Sequence, residues 1–194
     1  MKWFVIVAAF AAVFAVASAE DKKQPSPVEL KLVNKGGKYK FDGGGLTAAE
    51  YKTSLLETAK KIDKGEKVSV PKAQAVDLVL QITNTSKEDV TIHVGGDSNV
   101  YTFDLTGGAG EVVMNNPVAF TADFKLPKAV TLAPTKSHEI PVKQLSDGTR
   151  GAARLVFWTG PGEYTLAARY TLADAKGGKG AELKSEPIKI TVEK

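Results

Sequence analysis

The chain has no cysteine, and only two histidines, His93 and His138, occur among its 194 residues. Without thiols there is no disulfide framework, no thiolate zinc site, no iron–sulfur cluster and no cysteine nucleophile. Two imidazoles so far apart in sequence offer no metal-ligand spacing, and H-E-x-x-H does not occur. The strained G-x-S-x-G elbow of signature hydrolases is also missing. Gly43-Gly44-Gly45 and Gly107-Gly108-Ala109-Gly110 fit neither phosphate-cradling glycine pattern, so nucleotide binding has no support. Asp97-Ser98-Asn99 lacks the alternating acids and closing glutamate of a calcium loop and reads as ordinary turn chemistry. Charge of one sign is not concentrated either. The 26 basic and 22 acidic residues are interspersed and leave a net +4, whereas a nucleic-acid binder gathers its basic residues on one face. These absences point to no catalytic residues, no metal, no cofactor and no nucleic-acid partner.

What is present begins at the first residue. Lys2 gives a short positive start, Trp3 to Val16 is an unbroken apolar run, and Ala17-Ser18-Ala19 is a small-residue exit. That order is the one a secretory signal peptide requires. The seventeen uncharged residues Trp3 to Ala19 sit at the lower edge of the ~17–25 that span a bilayer. No later run approaches that length. Residues 1–19 are therefore expected to be a cleaved leader, with export to the periplasm or outside the cell and no membrane span afterwards. Residues 20–27 (EDKKQPSP) read as a flexible lead, and 28–194 as a single domain. A domain of this size buries roughly 70% of its unfolded-chain surface, enough for one core without disulfides.

Period decides the fold class. Val28 to Leu32 alternates apolar and polar residues, the signature of a half-buried strand. After a glycine-rich loop, Thr47 and Glu50 form a capping box, with Leu46 and Tyr51 placed as its hydrophobic staple. Tyr51, Leu55, Ala59 and Ile62 then make one apolar stripe. Lysines near the end and Gly65 close a helix expected over about 48–64. Thereafter alternation recurs around Val76–Ile82, Val90–Val94, Tyr101–Leu105, Val118–Phe124, Val130–Leu132, His138–Ile140, Leu155–Trp158, Tyr164–Leu172 and Ile188–Val192. Eight or nine strands at short, turn-punctuated spacing predict an all-β chain: an immunoglobulin-like antiparallel β-sandwich with one α-helix inserted after the first strand. Pro141 suits an edge strand.

The segments LVLQITNTSKEDVTIHVGG, VYTFDLTG, TLAPTKSHEIPV and WTGPGEYTLAARY occur in that order. This order resembles the bacterial intracellular proteinase inhibitor-like sandwich and, more loosely, immunoglobulin-like modules of exported bacterial proteins. The resemblance covers roughly Val76 to Leu105 and Leu132 to Leu172. It implies a sandwich fold and protein binding, and it places Tyr164 as a corner tyrosine whose hydroxyl bonds back to the backbone. It carries no inhibitory loop onto any residue here. The chain departs from the pattern in its leader, in its early helix and at Thr135, where the turn after T-L-x-P usually carries glycine.

One stretch combines cations with aromatics: Arg150, Arg154, Phe157 and Trp158. Arginine and tryptophan are enriched at binding hot spots, so Arg150, Arg154 and Trp158 are the candidate binding residues. The competing and favoured reading puts one of Phe157 and Trp158 in the core, with the other partly exposed beneath an arginine stem. Adjacent strand residues face opposite ways, so both can be core only if the sheet is covered on each side. The expectation is an exported, non-enzymatic binding or accessory domain whose partner is a protein or an envelope component. The alternatives are a proteinase inhibitor and an envelope structural or carbohydrate-associated module.

Overall fold

A computed structural model describes residues 26–117, 123–149 and 152–194. The expected leader, most of the lead, residues 118–122 and Arg150 lie outside them. The chain is all-β with one helix: thirteen strands and a single α-helix among the described residues. No helix there is long and apolar enough to cross a membrane.

Three sheets carry the strands, antiparallel except for one parallel pair. In the first, β3 (Ala75–Asn84) lies between β1 (Val28–Asn34) and β8 (Ser137–Gln144). The second is organised on the long β11 (Gly162–Ala173). β11 pairs with β4 (Val90–Val94) and β5 (Val100–Gly107), and also with β12 (Lys179–Lys184) and β13 (Ile188–Glu193). β2 (Lys38–Lys40) adds to β13 in parallel, and β7 (Lys128–Leu132) adds to β4. The third sheet sets β10 (Ala152–Trp158) between β6 (Glu111–Pro117) and β9 (Ser146–Thr149).

Alternation builds the core as the two-residue period requires. Val28, Leu30 and Leu32 share one interior with Leu78, Leu80 and Ile82 of the same sheet. Phe103, Leu105, Tyr164, Leu166 and Ile190 of the second sheet join them. Each such side chain contributes about 1.5–3 kcal/mol relative to exposure.

The helix α1 (Ala48–Asp63) forms where expected, and both capping-box bonds at Thr47 and Glu50 are present. It ends in a Schellman motif. The Gly65 N–H donates to Ile62 O and the Glu66 N–H to Lys61 O, with Gly65 at a φ of +76° that glycine takes without strain. The staple differs: Leu46 is exposed, and the Tyr51 ring meets Phe41 edge-on at 5.5 Å. Leu55 packs into a second cluster with Val112, Met114, Leu155 and Phe157.

That second cluster corrects the expectation for β10. Phe157 and Trp158 are both buried, because α1 covers one face of the β6–β10–β9 sheet while the main core covers the other. Another correction concerns the strand expected over Val118–Phe124. Its residues 118–122 lie outside the described residues, and Asp123 to Pro127 form no strand, with Phe124 exposed. Four strands went unforeseen: β2, β6, β9 and β12.

Candidate functional site

The two sheets that share the main core each end, among the described strands, at an unpaired edge: β8 in the first and β7 in the second. Between these edges lies a cleft of about 540 Å³. Val94 and Val130 form one wall, and His138, Glu139, Ile140 and Pro141 the other, with Tyr101 and Tyr170 also lining it. Each residue follows from local register. Val130 opposes Ile92 across β4–β7, and Ile140 opposes Leu80 across β3–β8, so each stands where its sheet stops. Asp97, Lys125 and Lys128 give the rim its charge.

The rim is fixed by turn chemistry. Asn99 accepts from the Gly96 N–H at 3.0 Å and donates to His93 O at 2.9 Å, closing the loop after β4. Asp97 accepts from the Lys125 N–H at 2.9 Å, and Ser98 donates to Gly177 O. The Asp97-Ser98-Asn99 segment is thus occupied with loop closure. Within the cleft, burial and then Tyr101 push the Tyr170 hydroxyl up to about 12, while burial raises Tyr101, with Asp147 adding to it. Both rings therefore present neutral phenols at physiological pH. Phe124 and Leu126, both exposed, lie against Gly177 on the same side.

The residues singled out from the sequence go elsewhere. Trp158 is 1% exposed and stacks on Tyr39 at a centroid distance of 5.4 Å, leaving its ring no free face on the surface. Arg154 grips the buried Asp147 through Nε and Nη2, both at 2.8 Å, and Asp147 also accepts the Phe103 N–H. This fork ties β9, β10 and β5 together. Asp147 and Arg154 therefore read as structure, and Arg150 lies outside the described residues.

His138 lines the cleft, whereas His93 sits half-buried in β4 opposite Ala129 and Ala173. Ser137 shares a hydrogen bond with Thr83 rather than with an imidazole. Among the described residues no group of three or more metal-ligating side chains comes together. Tyr164 does what a corner tyrosine does: its hydroxyl donates to Gly160 O at 2.8 Å and accepts from the Ala109 N–H at 3.2 Å. Its ring lies so close over Gly108 that a Cβ there would collide with it. The Asn84 amide is equally committed. It donates to Glu88 O and Leu132 O and accepts twice from Ser86, so Asn84, itself buried, bolts two turns together.

The cleft residues carried no motif. Their signal was positional: a valine and an isoleucine at register positions where the neighbouring strand runs out, beside a proline that marks an edge. No family model, no curated protein and no solved structure matches the chain.

Proposed function

We propose that the protein is an exported, non-enzymatic binding module, an immunoglobulin-like β-sandwich with one inserted helix. Its cleft receives an extended apolar segment of another protein. The observation that carries this reading is the juxtaposition of two strand edges around an apolar hollow. A strand end offers backbone donors and acceptors to an incoming chain, and a hollow beside it takes alternate side chains. β7 is the better edge, because Pro141 of β8 has no N–H to donate. A peptide paired with β7 sets its residue opposite Val130 toward Ile140 and Tyr101, and the next residue toward solvent. Specificity then rests on every second residue of the partner.

Selection from a random-peptide display library tests the proposal. Enriched sequences are expected to alternate apolar and polar residues. Val130→Asp is expected to weaken their binding at least about tenfold, while far-ultraviolet circular dichroism stays unchanged. Enrichment of non-alternating, charge-dominated peptides indifferent to Val130→Asp contradicts it.

A further inference from the structure

The β7–β8 cleft has apolar walls and a polar floor. Of the residues that line it, only Val94 and Tyr170 are buried, at 5% and 2% exposure, so the cleft is deepest there. Tyr170 stands directly opposite Tyr101 across β11–β5. Opposed residues of an antiparallel pair share a face, with Cβ atoms about 4.5–5.5 Å apart, so the two phenols lie side by side. Neither hydroxyl has a hydrogen-bond partner among the described residues. Trp158 Nε1 is the one described side-chain nitrogen or oxygen that is both unpaired and closed to solvent, so the two phenol hydroxyls are open to it.

Val130, Ile140 and Pro141 make the approach to these hydroxyls apolar. The charged groups stay at the rim: Lys125, Lys128 and Glu139 are exposed, and Asp97 accepts the Lys125 N–H. No charged side chain lines the floor, so a carboxylate or ammonium carried down to it would be desolvated without an opposite charge. An aliphatic side chain suits the walls, but it displaces water from two hydroxyls and leaves them unpaired. A flat apolar body with one neutral hydrogen-bonding atom at its end suits walls and floor together. A hydroxyl serves best, because it donates to one phenol while accepting from the other. We propose that Tyr101 and Tyr170 select the partner: the residue set opposite Val130 is a tyrosine, whose hydroxyl joins theirs. This specificity rests on the strand-accepting cleft described above and sharpens its apolar preference to a phenol.

The test takes one peptide selected on the wild-type protein and finds its cleft position as the one where aspartate costs most affinity. Tyrosine, phenylalanine, leucine and glutamate are then compared at that position by isothermal titration. The wild-type protein is expected to bind the tyrosine peptide at least about fivefold tighter than the phenylalanine peptide. Tyr101→Phe and Tyr170→Phe are each expected to shrink that preference, and the double variant to abolish it. The urea midpoint of each variant checks that the fold is intact. A wild-type protein that binds phenylalanine, leucine or glutamate as well as tyrosine overturns the proposal, and so does a tyrosine preference untouched by the double variant. If Val130→Asp still weakens binding in either case, the strand-accepting cleft stands and only its tyrosine specificity falls. If no selected peptide responds to Val130→Asp, both fall together.

Discussion

Thr135 holds a φ of +66°, the left-handed region that a β-branched residue adopts only under strain. Its N–H donates to Asn84 O, and the Lys136 N–H to Ala133 O, so the turn between β7 and β8 is pinned in that shape. The pattern that the chain resembles usually carries glycine at this position, and the backbone here takes a conformation that glycine takes without strain. Thr135→Gly is therefore predicted to stabilise the protein by about 1 kcal/mol, read from the urea midpoint, with peptide binding retained. Tyr170 makes a second residue-scale prediction. Its phenol titrates near 12 in the fold and near 10 when unfolded, so between those values the unfolded chain releases its proton first. Stability is then full below about pH 10 and falls by up to about 2–3 kcal/mol as pH rises to 12. Tyr170→Phe should flatten that decline in an alkaline denaturation series. A decline of the same depth in the variant assigns it to other groups.

At the scale of elements, α1 was legible almost to the residue, because capping box, apolar stripe and glycine stop are local signals. What it covers was not. Leu155 and Phe157 face α1 while Val156 and Trp158 face the main core, and nothing within β10 states that its sheet has two covers. The strands that escaped notice share a cause. β2 and β12 are polar and short, β9 is SDGT, and β6 has only Val112 and Met114 to mark its inner face. Their pairing is set by neighbours rather than by their own hydrophobicity. If α1 is a cover, Leu55→Ala should cost about 2–5 kcal/mol and raise the exposure of Phe157, measured by denaturation. Thr47→Ala, which loses only the cap, should cost about 1 kcal/mol. Near-equal costs for the two would mean that α1 is held by its own helical stability rather than by packing.

For the molecule as a whole, the two-residue rhythm foretold an all-β chain, but its buried positions gather into two clusters, a main one and a smaller one under α1, rather than one interior. The cleft could not be foreseen, since an edge exists only once the order of strands is known. Arg154 shows the converse. Its place beside aromatics suggested a partner outside, and it found Asp147 within. If β7 and β8 frame a strand-accepting cleft, binding leaves a spatial signature that no stability measurement gives. The decisive experiment installs a photo-crosslinking side chain at Lys128 of β7, at His138 of β8, or at Lys31 of β1, with a selected peptide bound. Labelling at positions 128 and 138, at alternate residues of the peptide and not from position 31, is the predicted result. Labelling from position 31 alone, or at consecutive peptide residues without alternation, would contradict the account.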